Sequence, residues 1–104
     1  MRVFLLEKTT HDISDAMRYG ELVVMFEQRP SVFDHKEFRS KFLQRLRKLK
    51  FDKRTDSFLC VGTSVPLLLS ASFIIQECEW FHALMFHAYS QTYVTRTLGY
   101  EDLQ

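Results

Sequence analysis

Glycine and proline are scarce in this chain, with three and two copies in 104 residues. That argues against disorder, and no low-complexity tract is present. Net charge is almost absent as well: 14 Lys and Arg stand against 13 Asp and Glu, +1 overall, so no global field gathers nucleic acid or anionic lipid and any electrostatic partner depends on a local patch. The two cysteines, Cys60 and Cys78, sit inside apolar runs without a metal-ligand neighbour two or three residues away. They read as reduced, small core hydrophobes in a reducing, cytoplasmic setting. The stretch Phe58–Ile75 has no charged residue and reaches the length of about 18 residues at which a membrane span has to be considered. Gly62-Thr63-Ser64 and Pro66 break it into strand, turn and helix, which argues against a membrane. The apolar run Met1–Leu6 is too short for a signal peptide and no cleavage pattern follows it. Signatures of named chemistry are missing too: there is no Gly-rich dinucleotide fingerprint, no Gly-Lys-Ser/Thr loop, and no glycine beyond Ser64 to make a nucleophile elbow. The expectation is a protein that is not an enzyme and carries no cofactor.

What is present is apolar and aromatic. Hydrophobic residues make up 46% and aromatics 14%, enough apolar surface to offset chain entropy. A chain of this length buries about two thirds of its unfolded surface, and one domain over residues 1–104 is expected.

Arg2–Glu7 and Glu21–Glu27 are short apolar runs closed by charge and read as strands. Between them, His11–Gly20 suits either one or two helical turns or an ordered loop. Asp34 with Glu37 has capping-box spacing and opens a helix. Phe38, Phe42, Leu46 and Leu49 then form its apolar stripe. Ser57–Val61 reads as an interior parallel strand, Val65–Trp80 as a second helix and His82–His87 as another buried strand. Thr92–Leu98 alternates like an edge strand after a hairpin at Tyr89-Ser90-Gln91. Strand, helix, strand, helix, strand implies right-handed crossovers and a parallel sheet. The predicted fold is α/β: a small three-layer or two-layer sandwich with a mostly parallel β-α-β-α-β core and an antiparallel margin.

Ligands of such sheets bind beyond the carboxyl ends of the strands. There, Gly62 permits a tight turn, and Thr63 and Ser64 offer hydroxyls and N–H groups to an anion at a helix start. The competing reading is that Thr63 or Ser64 caps the helix and Pro66 fills its first turn. Nine of the basic residues fall between Lys36 and Arg54, against Glu37 and Asp52. Arg39, Arg47 and Lys50 are the nucleic-acid candidates in that segment, although solvation of an amphipathic helix accounts for them more simply because no aromatic is interleaved to stack bases. Among the histidines, His82 and His87 are five apart on a strand and point to opposite faces, so no metal site is expected. On the second helix, Leu67, Leu68, Ala71, Ile74, Ile75 and Cys78 share one face, assigned to the sheet. Val65, Leu69, Phe73 and Trp80 share another, which marks either contact with another element of the chain or an association surface, and it is assigned to association with a second copy.

From Asp34 to Leu98 the features run in a fixed order. A charged helix, an Asp-rich turn and an apolar strand ending in Gly62-Thr63-Ser64 come first, followed by an apolar helix and a strand entering the Tyr93-Val94-Thr95-Arg96-Thr97 hairpin. In this order the chain resembles small α/β proteins encoded by bacteriophages. The resemblance implies no activity. It implies a small accessory protein acting through binding: a homo-oligomeric binding or regulatory module working by protein–protein contact on a host protein. The alternative is a nucleotide or phosphate-ligand binder using Gly62, Thr63 and Ser64.

Overall fold

The apolar runs and capped helical stretches become five strands and two α-helices in the computed structural model, which describes residues 1–103. Gln104, the last residue of the expected 1–104 span, lies outside the described residues. In chain order the elements are β1 (Arg2–Glu7), a 3₁₀ helix (Ser14–Tyr19), β2 (Glu21–Phe26), α1 (His35–Lys48) and β3 (Ser57–Leu59). They continue as α2 (Ser64–Cys78), β4 (Trp80–His87), β5 (Thr92–Gly99) and a short 3₁₀ turn (Tyr100–Leu103). The sheet order is β2-β1-β3-β4-β5. The first four strands are parallel and β5 returns antiparallel along β4, the mostly parallel α/β sheet with an antiparallel margin that the sequence predicts.

Side chains alternate between two cores, as strand geometry requires. Phe4, Leu6, Phe58, Phe81 and Ala83 face both α-helices. Val3, Leu5, Leu59 and Leu84 face the 3₁₀ helix, which covers them with Ala16 and, less completely, Ile13, Met17 and Tyr19. The sandwich thus has three layers, one of them thin.

α1 begins where the capping spacing places it: the Asp34 carboxylate accepts the Glu37 N–H at 3.0 Å. The Glu37 side chain pairs with Lys41 instead, at 2.7 Å, so only half of the capping box forms. Phe38, Phe42 and Leu46 are buried as the stripe predicts. Beyond the helix end, the Arg2 guanidinium donates to the carbonyls of Leu49 and Lys50, both at 2.7 Å. The orphan carbonyl at the C-cap, and the carbonyl that follows it, are thereby satisfied by a residue from β1.

Several boundaries differ from expectation. β3 stops at Leu59 rather than Val61, because the chain turns away through Gly62 at φ 117°, although the Cys60 N–H still donates to Leu84 at 2.9 Å. α2 ends at Cys78. Glu79 takes φ 75° and the chain reverses there, so Trp80 opens β4 instead of closing the helix.

The assignment of faces on α2 is also corrected. Leu68, assigned to the sheet, is 70% exposed, while Phe73, assigned to the outside, is 1% exposed. The reason is α1, which lies beside α2 and packs Phe38 and Phe42 against Phe73 with ring centroids 5.6 and 5.8 Å apart. Leu69 is half-buried, Val65 remains exposed, and Trp80 sits on a strand beneath the Lys53 ammonium, 4.8 Å from its ring. The four residues do not form one surface.

Truncating Phe73 to Ala is therefore expected to cost about 3–5 kcal/mol in urea denaturation. Phe73→Glu is expected to unfold the chain, with loss of the far-ultraviolet circular dichroism signal. A folded Phe73→Glu protein would contradict this packing.

Asp56, 2% exposed, accepts the Arg2 backbone N–H at 3.1 Å, the Arg2 guanidinium at 2.9 Å and the Asp52 N–H at 2.8 Å. Asp56→Ala strands these donors and is expected to lower stability by about 3 kcal/mol, measurable as a fall in urea midpoint.

Candidate functional site

The parallel strands end together at one edge of the sheet. From β1 the chain crosses to β2 on one side, whereas β3 and β4 lie on the other, so the loops after β1 and β3 diverge and leave space between them. Two hollows open there and meet at His11, Val61 and Gly62. One, of about 630 Å³, is lined by His11, Asp12, Asp15, Cys60, Phe86 and Tyr93 among others. The other, of about 380 Å³, lies towards the helices and is lined by Lys8, Thr9, Arg29, Thr63, Pro66 and Leu67 among others.

Gly62 stands at this junction and Thr63 lines the smaller hollow, whereas Ser64, the first residue of α2, lines neither. Nothing lies within 4 Å of where a Gly62 Cβ would be. The glycine is required by its positive φ rather than by lack of room. Thr63 occupies the cap position of α2 with an extended backbone, yet its hydroxyl makes no capping bond, and Pro66 in the first turn has no N–H to offer. The position predicted for a cap is therefore occupied while the capping bond itself is absent.

The wall of the larger hollow is held by the 3₁₀ helix. Asp15 accepts the Tyr93 N–H at 2.6 Å, and Arg18 and Tyr19 donate to the Tyr93 carbonyl at 2.6 and 2.8 Å. These bonds bring the β5 end of the hairpin over the loop that follows β1. Asp12 accepts from both the hydroxyl and the N–H of Ser14, and these bonds hold its carboxyl below the usual carboxylate range. Tyr93 shifts the other way, pushed up first by burial and then by the nearby Asp12 and Asp15 charges. Burial also pushes the Cys60 thiol up to about 11. Cys78 is raised too, by burial and the Glu77 charge with Lys53 partly opposing. Both cysteines are free thiols. A thiol kept neutral at neutral pH is a poor nucleophile.

The basic helix divides into two flanks. Arg47 grips Glu77 of α2 with two bonds, 2.9 and 2.8 Å, and Arg39 Nε donates to Gln76 at 3.4 Å. Lys50 sits in the turn after α1 at φ 55°, where its carbonyl serves Arg2. The nucleic-acid candidates are thus spread over the α1–α2 seam and a turn. Lys41, Arg45 and Lys48 line the opposite flank, with Arg29. His82 bonds to Thr97 and His87 to Ser90, and no cluster of three metal-ligating side chains occurs among the described residues.

The order of features noted between Asp34 and Leu98 has a counterpart in known proteins. Residues 4–99 match the model of a family described as phage Pam3 gp32-like protein. The chain belongs to this family. A phage origin for this α/β protein thereby rests on a match that takes in β1 from Phe4 onward, the other four strands and both α-helices. No curated protein and no solved structure matches the chain. Among the described residues, no helix is long and apolar enough to cross a membrane.

The loop Lys8–His11 contributes to both hollows, and sequence reasoning did not single it out. Its signal was its place after β1, which becomes informative only once the strand order is known.

For Cys60, the raised thiol is protonated in the folded state up to about 11, against about 8.5 in an unfolded chain. Its contribution to stability is fully present below the unfolded value and is lost as pH rises through the folded one. In a Cys78→Ser background, alkylation of Cys60 at about pH 8 is expected to be much slower in native protein than in urea, and to accelerate only towards pH 11. Equal rates in the two states would contradict the burial.

Proposed function

We propose that this protein is a small non-enzymatic binding module, a phage accessory protein that acts in the cytoplasm by contact with a protein of the host. The observation that carries this reading is the large apolar side chains left exposed on α2 and on the adjoining strands β4 and β5. Met85 and Val94 are direct partners across β4 and β5. They lie on the same face as Phe81 and Ala83, which pack under the helix. Yet Met85 is 38% and Val94 39% exposed, and on the helix itself Val65 is 55% and Leu68 70% exposed. Large apolar side chains left in water cost roughly 25 cal/mol per Å², and an apolar patch of this kind marks association surfaces.

The experiment is affinity capture of host proteins from a lysate of the phage's host, comparing wild type with a Leu68→Asp/Met85→Asp double variant. The expected result is a host protein retained near stoichiometry by wild type and lost from a variant whose circular dichroism is unchanged. Retention of the same proteins by both would contradict it.

A second reading, a nucleotide or phosphate ligand at Gly62, Thr63 and Ser64, is favoured by the missing side-chain cap of α2 and by Lys8 and Arg29 beside it. It requires thermal stabilisation by inorganic phosphate or nucleotides that Gly62→Val removes.

A further inference from the structure

The two edges of the sheet are treated differently. On β5, Tyr93 has its outward N–H and carbonyl taken by Asp15, Arg18 and Tyr19, and the Gly99 N–H is taken by Asp102 at 2.9 Å. That edge is blunted at both ends. On β2, the Glu21 N–H donates inward to Met1 at 3.3 Å. Strand alternation therefore turns the N–H and carbonyl of Leu22, Val24 and Phe26 outward. No partner for these outward groups occurs among the described residues. The strand carries neither proline nor lysine, and Leu22, Val23 and Val24 are only half-buried, so its own residues do little to keep an edge from pairing.

The surroundings of this edge select what can pair with it. α2 lies along one side of α1, so the other flank, with Lys41, Arg45 and Lys48, overlooks β2. With Phe26, Gln28, Arg29 and Pro30, that flank encloses a groove of about 520 Å³ with no acidic residue in its lining. Arg29 is offset by Glu7 at 2.8 Å and Lys41 by Glu37 at 2.7 Å. Arg45 lies over the Phe26 ring at 5.5 Å, and Lys48 enters no ion pair among the described residues. On the other face of the sheet the same strand presents Leu22 and Val24.

A second copy is a poor occupant. Pairing β2 with its symmetry mate about an axis normal to the sheet puts both α1 helices on one face and brings these like-charged flanks together. A nucleic-acid strand meets the cations but cannot continue a peptide ladder.

We infer that the β2 edge, with the α1 groove above it, is a docking site for an extended acidic peptide segment of a partner protein, added to the sheet as a sixth strand. Alternation fits both faces. Carboxylates on one side of the added strand reach the Lys41–Arg45–Lys48 flank, and apolar side chains on the other continue the surface of Leu22 and Val24. The inference rests on the protein-binding reading and names the partner's chemistry at a separate surface.

The probe is a fluorescein-labelled octapeptide alternating valine and glutamate, with a valine–lysine octapeptide as control, titrated by anisotropy into the full-length protein. Saturable binding of the glutamate peptide alone is expected, weakening roughly tenfold or more at high salt and in Lys41→Glu/Lys48→Glu. Val24→Pro removes an outward N–H at a position where an edge strand tolerates proline, and is expected to abolish binding. If that variant fails to fold, slowed hydrogen exchange at the Leu22 and Val24 amides of wild type on adding peptide tests the same ladder. Equal affinity for both peptides, undiminished binding in the charge variant, or no change in exchange would overturn the inference. So would a wild-type dimer dissociated by Val24→Pro, or displacement of the peptide by oligothymidylate that leaves those amides unprotected. Loss of peptide binding alongside continued capture of a host protein through Leu68 and Met85 would overturn the docking edge and leave the proposed function standing.

Discussion

The carboxylate of Asp56 ties the start of the chain to a segment some fifty residues further on. Through its bonds to Arg2 and Asp52 it fixes the start of β1 against the turn that leads into β3, and the same Arg2 side chain closes the end of α1 and lies over the Phe4 ring at 4.8 Å. β1 and β3 share only a short parallel ladder, Val3 with Ser57 and Phe4 with Phe58. A ladder that short specifies its register weakly on its own, and a slip of one residue would turn Phe58 out of the helix-facing core. The ion pair beside it removes that freedom. A buried carboxylate costs several kcal/mol of desolvation unless its partners are in place, so any other register carries that penalty.

With the amino ends of the strands anchored in this way, the helix-facing core is filled by rings. Phe38, Phe42, Phe58, Phe73 and Phe81 form a chain of mostly edge-to-face contacts with centroids 5.6 to 6.3 Å apart. Contacts of this geometry contribute about 0.5–1.5 kcal/mol each beyond their burial. The chain runs through α1, α2 and the two central strands, which is why Phe73 belongs to the interior.

The opposite end of the sheet is built for access. There the connections diverge, the third layer is a single 3₁₀ helix, and the hairpin is drawn over it by side chains of Asp15, Arg18 and Tyr19. Those same bonds blunt the β5 edge, so one feature both shapes the larger hollow and protects a strand. The β2 edge has no such cover, and the charges beside it oppose self-pairing while attracting acid. The asymmetry separates a guarded edge from a receptive one.

Local sequence determined the elements and their order. The stripe of Phe38, Phe42 and Leu46, the Asp34 cap and the uncharged run entering Gly62 carry their structural meaning within a few residues, because helix period, capping and turn geometry are short-range effects. Crossover handedness then led from that order to a parallel sheet with Ser57–Leu59 inside it. Tertiary structure alone decided which helix face is covered. Helix period groups Val65, Leu69 and Phe73 but does not say that α1 will lie against Phe73, nor that Leu68 will overhang solvent. The basic residues of α1 are likewise one cluster in sequence and two flanks in space, since only the position of α2 separates Arg39 and Arg47 from Lys41, Arg45 and Lys48. The candidate site was half legible: Gly62, Thr63 and Ser64 announce a strand-to-helix turn. The Lys8–His11 loop and the bare edge of β2 follow from strand order, which is set by long-range packing and cannot be read from any one segment.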